Sequence, residues 1–127
     1  MGPLHELSEC EQTKFAASAI GLRLYWDAVC LMPPAIDPPF VYWNPKHDDG
    51  DSLRLAVSLD IQIEHIGEVS GPTTMVKCWP RGHSDCAVCH SYGDDKQAAT
   101  RRAVFESAVM AGMAIDQLPA RRQQTKI

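Results

Sequence analysis

The spacing of apolar residues predicts a long first helix. Ser8 and Glu11 form a capping-box pattern, in which the Ser8 hydroxyl accepts from the Glu11 amide and the Glu11 carboxylate reaches back. The apolar positions after this cap recur every three or four residues and so share one helical face; they are Phe15, Ala19, Leu22, Trp26 and Val29. The pattern predicts a helix over residues 9–30, ended by Pro33 and Pro34.

A proline-rich segment, residues 32–50, follows without any periodic pattern. Loops of this length are uncommon in compact domains and tend to be either functional or disordered. The segment contains the aromatic run Phe40-Val41-Tyr42-Trp43. These side chains either fold back onto the core, which is the usual fate of large apolar groups, or form an exposed docking surface.

Two further helices are predicted from the pattern. The aspartates within Asp48–Asp51 precede a leucine- and valine-rich run and suit a helix start, so we predict a helix over residues 50–59. The same aspartates lack the glycine and glutamate positions of a calcium loop, which favours capping. A broad apolar stripe predicts the last helix over residues 95–115, and a basic, flexible tail over residues 119–127.

Residues 61–92 have the pattern of three strands. Residues 61–66 alternate at their start, residues 73–79 are rich in β-formers, and residues 86–92 complete the set. Short turns separate these segments, and short turns join antiparallel strands. The sequence therefore predicts one α+β domain over residues 1–127, in which a three-stranded antiparallel meander packs with helices in the order α-α-β-β-β-α.

The register of the second and third strands depends on the turn between them. A turn at residues 81–84 would place Val76 opposite Cys89 and Cys78 opposite Ala87. The face shared by these residues suits the close approach of a helix, and it also carries Thr74 and Ser91. The opposite face is bulkier and needs a cover, which could be the proline-rich segment, a helix or a second copy of the protein. Its members are Met75, Lys77, Trp79, Cys86, Val88, His90 and Tyr92.

Composition limits the classes of partner and the compartment. The chain has 127 residues and a formal net charge of −4, which does not favour nucleic-acid binding. No stretch approaches the apolar length of a membrane span, and the first residues lack the pattern of a secretory signal. These features predict a cytoplasmic protein, and a reducing cytoplasm predicts free thiols. The five cysteines are Cys10, Cys30, Cys78, Cys86 and Cys89.

One cluster has the composition of a cofactor site. Residues 86–90 read C-x-x-C-H, which is the attachment motif of c-type haem. A structural zinc would need four ligands, and the candidates are His83, Cys86, Cys89 and His90, with Cys78 as a substitute. In a strand, residues three apart point to opposite faces, which opposes haem, zinc and a redox pair alike. We therefore predict no cofactor, with a zinc site as the alternative if residues 83–90 form a knuckle.

Two segments resemble a family of small phage and prophage proteins, the phage ABA sandwich. The segments are residues 42–57, YWNPKHDDGDSLRLAV, and residues 95–103, DKQAATRRA. The resemblance covers roughly residues 42–115, and it implies a short N-terminal helix, an aspartate-led helix, a small antiparallel sheet and a C-terminal helix. It implies no catalytic residue, and the cysteine- and histidine-rich third strand is not part of the family pattern.

The expected function is protein binding. The sequence contains no nucleophile elbow and no glycine-rich phosphate loop, so no catalytic residue is predicted. We expect a non-enzymatic phage or prophage accessory protein in the cytoplasm of a bacterial host, which binds an unknown protein and forms a homodimer, but binds neither nucleic acid nor membrane. The predicted binding residues are Phe40, Tyr42, Trp43, Trp79 and Tyr92. The alternative is a small zinc-binding protein.

Overall fold

The computed structural model describes residues 6–25, 34–36 and 41–116. Within these residues the protein has an α+β fold with three helices and two antiparallel sheets. The helices are α1 (Glu9–Ala19), α2 (Asp49–Ser58) and α3 (Lys96–Asp116). The strands are β1 (Leu24–Tyr25), β2 (Ala35–Ile36), β3 (Ile61–Gly67), β4 (Thr73–Pro80) and β5 (Val88–Ser91).

Helix α1 begins as predicted but ends early. The capping box is formed, with Ser8 and Glu11 exchanging two hydrogen bonds of 3.1 Å. The bonds from the Ser8 amide and hydroxyl lower the pKa of the Glu11 carboxyl. The predicted end at residue 30 is wrong, because Gly21 adopts a left-handed φ of 67° and Leu22 N donates to Ala17 O. This glycine-terminated end leaves Leu22 outside the helix. Trp26 and Val29 lie outside the described residues.

The segment predicted to lack structure contains a strand in its described part. Ala35 of β2 pairs with Tyr25 of β1 and also bridges to Tyr42. The amide of Trp43 donates to the carbonyl of Pro34, and the Trp43 side chain is buried in the core. Two short strands therefore precede α2, and the predicted element order lacks them.

The predicted helix over residues 50–59 is confirmed as α2. Its cap is Asp48, whose carboxylate accepts from the Asp51 amide at 2.8 Å. The Asp51 carboxylate is largely buried and accepts from the amide of Asn44 and from the guanidinium of Arg54. These bonds fix the start of α2 and tie the preceding segment to it.

The predicted three-stranded meander is confirmed, in the order β3-β4-β5. Its predicted register is wrong by one residue, since Val76 pairs with His90 and Cys78 pairs with Val88. The cause is a 3₁₀ turn at Ser84–Cys86, which delays the start of β5 to Val88. A slip of one residue moves every side chain of the affected strand to the other face.

The observed register defines the two faces of the meander. The helix-side face includes the fully buried Val76 and Cys78, and α3 packs against it. His90 and Val88 lie on this face instead of the predicted Cys89 and Ala87. Its members are Ile61, Ile63, His65, Val76, Cys78, Pro80, Val88 and His90. The members of the opposite face, here called the open face, are Gln62, Glu64, Ile66, Met75, Lys77, Trp79, Cys89 and Ser91.

Helix α3 lies at the centre of the fold, and its predicted range is confirmed. It packs against the meander on one side and against α1 and α2 on others. Phe105 and several smaller side chains of α3 are consequently buried. Gly112 permits the close approach of α1, because a Cβ at this position would overlap the carbonyl of Phe15. No helix among the described residues has the length and apolar character that crossing a membrane requires.

Candidate functional site

The cysteine and histidine side chains of the C-x-x-C-H motif do not converge. Cys86 lies buried in the 3₁₀ turn, Cys89 lies exposed on the open face, and His90 is on the helix-side face. His83, the fourth candidate ligand, is exposed at the start of the turn. Among residues 6–25, 34–36 and 41–116, no group of three or more His, Cys, Asp or Glu side chains is placed to hold a metal.

His90 instead takes part in a charged network with α3. Its Nε2 lies 2.9 Å from Oε1 of Glu106, and the other oxygen of Glu106 accepts from Nε of Arg102 at 2.9 Å. Both carboxylate oxygens therefore have partners, and the Glu106 side chain is largely buried. The network anchors β5 to α3, since a hydrogen bond to a charged group stabilises more than a neutral one.

The thiols differ in their surroundings. Burial raises the pKa of Cys78 to about 12, and the nearby Cys89 adds to this increase; burial also raises the pKa of Cys86. Cys89 is exposed. The prediction of free thiols throughout is wrong for Cys10, which is disulfide-bonded, while Cys30 lies outside the described residues. Disulfides are uncommon in a reducing compartment, so this bond gives the cytoplasmic prediction no support.

Cysteine labelling tests the placement of the thiols. In the folded protein at pH 8 we expect iodoacetamide to modify the exposed Cys89 much faster than Cys78, because Cys78 is buried and burial disfavours the thiolate, which is the reacting species. Peptide mass spectrometry after short labelling times measures both rates, and labelling in denaturant should equalise them. Equal rates in the folded protein would mean that Cys78 does not face the core.

The aromatic residues predicted to bind a partner do not form one surface. Trp43 is only 3% exposed and is a core residue, so its prediction as part of an exposed surface is wrong. Tyr42 is 75% exposed beside the β1–β2 ribbon, whereas Trp79 lies on the open face under the ammonium of Lys77. Tyr92 bonds Thr73 and His65 through its hydroxyl. Phe40 lies outside the described residues.

A groove between α2, β3 and α3 has an apolar lining. Its volume is about 420 Å³, and Leu53, Ala56, Ile63 and Val104 contribute to its walls. Leu53 is 65% exposed and Ile63 is 42% exposed, which is unusual for large aliphatic side chains. Val57, one helical turn after Leu53, is 68% exposed. Three solvent-exposed aliphatic side chains therefore belong to adjoining elements of the fold.

The outer edge of β3 borders this groove. Within the described residues β3 pairs only with β4, so one side of its backbone has no strand partner. Edge strands of natural proteins are commonly protected by charged side chains, especially lysine, by proline, by a bulge or by short length. β3 has seven residues with neither lysine nor proline, it carries one carboxylate, Glu64, and its irregularity lies at its end, between Ile66 and Gly67. The other edge strand, β5, has four residues.

A larger cleft lies at the opposite end of α2. It has a volume of about 830 Å³ and a floor that includes Leu59, Pro80 and Ile115. The charged residues at its rim, such as Asp60 and Asp85, are exposed to solvent.

The spacing of apolar residues in α2 is the sequence signal for the groove between α2, β3 and α3. Leu53, Leu55 and Val57 are spaced two apart, so in a helix Leu55 must point away from the other two. Since Leu55 is buried, Leu53 and Val57 face outward.

Comparison of the chain with models of protein families, with curated proteins and with solved structures found no match.

Proposed function

We propose that this protein is a non-enzymatic phage or prophage accessory protein that acts by binding protein, including a second copy of itself. The proposed binding surface, here called the β3 border, consists of the free edge of β3 with the exposed side chains of Leu53, Val57 and Ile63. The observation that carries the proposal is the position of these aliphatic side chains beside an edge of β3 that no other described strand pairs with.

Binding by strand addition would use both the free edge of β3 and the exposed aliphatic side chains beside it. An added strand forms main-chain hydrogen bonds along the edge, while pockets beside the edge take alternate side chains. Burying a large aliphatic side chain contributes about 1.5–3 kcal/mol, and the entropy of association opposes this gain. The β3 border offers both the unpaired backbone and the apolar area.

The phage assignment is supported by the resemblance to the phage ABA sandwich family. An aspartate-capped helix, an antiparallel meander and a C-terminal helix follow each other in the order that the resemblance implies. No catalytic residue follows from the resemblance. Binding, and not catalysis, is therefore the function proposed.

Sedimentation equilibrium tests the proposal. Between about 5 and 200 µM we expect the mass to rise from the 14.0 kDa of one chain toward that of two chains, as for interfaces of micromolar affinity. Ile63→Lys should hold the protein at the mass of one chain, because the interface would bury an unpaired ammonium.

Tyr42→Lys is the matched control, since it adds the same charge at an exposed aromatic on the other side of α2. This variant should associate as the unchanged protein does. A mass of one chain at every concentration for the unchanged protein would contradict the proposed self-association. Dissociation by Tyr42→Lys with no effect of Ile63→Lys would instead assign binding to the surface around Tyr42.

A further inference from the structure

The direction of the free backbone groups of β3 follows from one hydrogen bond. The amide of Arg81 donates to the carbonyl of Asp60 at 3.0 Å, and this pair continues the β3–β4 register. In an antiparallel ladder, hydrogen-bonded pairs alternate with non-bonded ones. Gln62 and Glu64 therefore direct their backbone groups toward β4, whereas the backbone groups of Ile61, Ile63 and His65 point to the free edge.

Regular extended backbone on β3 is bounded on both sides. Asp60, before the strand, has a left-handed φ of 50°, and the pairing becomes irregular between Ile66 and Gly67. Suppose that a second β3 strand pairs antiparallel with the first across a two-fold axis. Residues whose backbone groups point to the free edge must then pair with residues of the same kind. Of the symmetric arrangements that satisfy this condition, those centred on Ile63 and on Glu64 each align five residues within the regular stretch.

Charge distinguishes the two arrangements. Centring on Glu64 places this carboxylate directly opposite its own symmetry copy, and like charges in that position are destabilising. Centring on Ile63 places Glu64 opposite Gln62 of the second copy, whose amide can donate to the carboxylate. The same arrangement sets Ile63 beside Ile63 on the helix-side face, where Leu53 and the groove adjoin.

We infer that the partner bound at the β3 border is a second copy of this chain, with β3 added antiparallel across a two-fold axis at Ile63. The two meanders then form one continuous sheet of six strands. The free backbone groups on the β3 edge of each copy then form hydrogen bonds with those of the other copy. The interface is closed, because two-fold symmetry uses the same surface of both copies. This inference rests on the proposed function and adds the place and the register at which the second copy binds.

Cysteine cross-linking tests the register. Ile63→Cys is introduced in a Cys89→Ser background, which removes the exposed thiol. A hydrogen-bonded antiparallel pair has a Cα separation of about 5.5 Å, which a disulfide spans. Oxidation with copper phenanthroline should therefore convert most of this variant to a covalent dimer on a non-reducing gel. Ile63 is partly exposed, so the substitution should leave the fold intact, which circular dichroism verifies.

Glu64→Cys in the same background is the matched control. With the axis at Ile63, the two substituted positions are offset by two residues along the paired strands, so their Cα atoms lie about 8 Å apart, beyond disulfide reach. We expect about tenfold less cross-linking than for Ile63→Cys, and none for the Cys89→Ser parent. Ile61→Cys should likewise remain uncross-linked.

The outcomes separate the inference from the proposed function. Cross-linking of Glu64→Cys, or of neither variant, in a protein that sediments as a dimer would overturn the register but leave self-association standing. Binding of an unrelated protein at the β3 border by a chain that stays monomeric would overturn the second copy as the occupant. A chain that neither self-associates nor binds protein would contradict the proposed function itself.

Discussion

Replacement of Gly112 by alanine is expected to lower the free energy of unfolding by about 1–3 kcal/mol. A Cβ at this position would overlap the carbonyl oxygen of Phe15, so α1 and α3 would have to separate. Backbone atoms cannot rotate out of the way as a flexible side chain can. The intrinsic helix preference of alanine over glycine, about 1 kcal/mol, opposes this loss but does not cancel it. Urea unfolding followed by circular dichroism measures the difference.

Gly50→Ala supplies the control for this prediction. Gly50 also lies in a helix, but its nearest neighbours would be the ends of the Arg54 and Asp48 side chains, at 3.2 and 3.3 Å. The flexible arginine can move, so Gly50→Ala should be neutral or slightly stabilising. If both alanine variants unfolded at the same urea concentration as the unchanged protein, α1 and α3 would not be in the close contact described.

Phe105→Ala is expected to cost about 3–5 kcal/mol of stability, the largest effect of any single truncation considered. The Phe105 ring is 1% exposed and has the greatest volume among the fully buried side chains. Removing the ring leaves a cavity in the core beside α3, which is the helix that contacts the meander, α1 and α2. Since domains of this size are stable by about 5–15 kcal/mol, this loss is a large fraction of the total stability.

Phe105→Leu and Val69→Ala complete this test. Leucine fills most of the ring volume, so its cost should be clearly smaller than that of alanine. Val69 is fully exposed, and its truncation should change stability by less than about 0.5 kcal/mol. Differential scanning calorimetry of the three variants gives the order of their stabilities. A stability loss for Phe105→Ala no larger than that for Val69→Ala would place Phe105 outside the core.

Local signals in the sequence predicted most of the elements. The caps at Ser8 and Asp48 mark the starts of α1 and α2 because a short polar side chain satisfies free amides there. Alternation and turn residues located the meander, and the apolar stripe located α3. The early end of α1 was also encoded, since Gly21 supplies the left-handed residue that ends the helix, but the continuing apolar spacing concealed it.

The register of β5 was not predictable from alternation. Apolar or small side chains occur at consecutive positions from Cys86 to Cys89, so either face could have been the buried one. The 3₁₀ turn at Ser84–Cys86 determines the register of β5 against β4, because it lengthens the connection between these strands and so shifts their pairing by one residue. Tertiary packing of Val88 and His90 against α3 then selects this register.

The candidate binding surface depends on spatial order, which sequence patterns do not contain. Nothing in residues 61–67 distinguishes an edge strand from a central one, and β3 is an edge only through the β3-β4-β5 order of the described strands. The sequence led to aromatic residues as the predicted binding residues, because aromatic side chains are common in protein interfaces. Trp43, however, is needed in the core, and the exposed apolar surface next to a strand edge is aliphatic.

The contact between Phe15 and Gly112 also bears on how the chain folds. The meander and the helix that follows it are built from neighbours in sequence, whereas this contact joins opposite ends of the chain. Long-range closure is entropically slow, so the first helix should dock last, onto a nucleus assembled from the hairpins and α3. During synthesis α1 would therefore stay undocked until α3 has emerged from the ribosome.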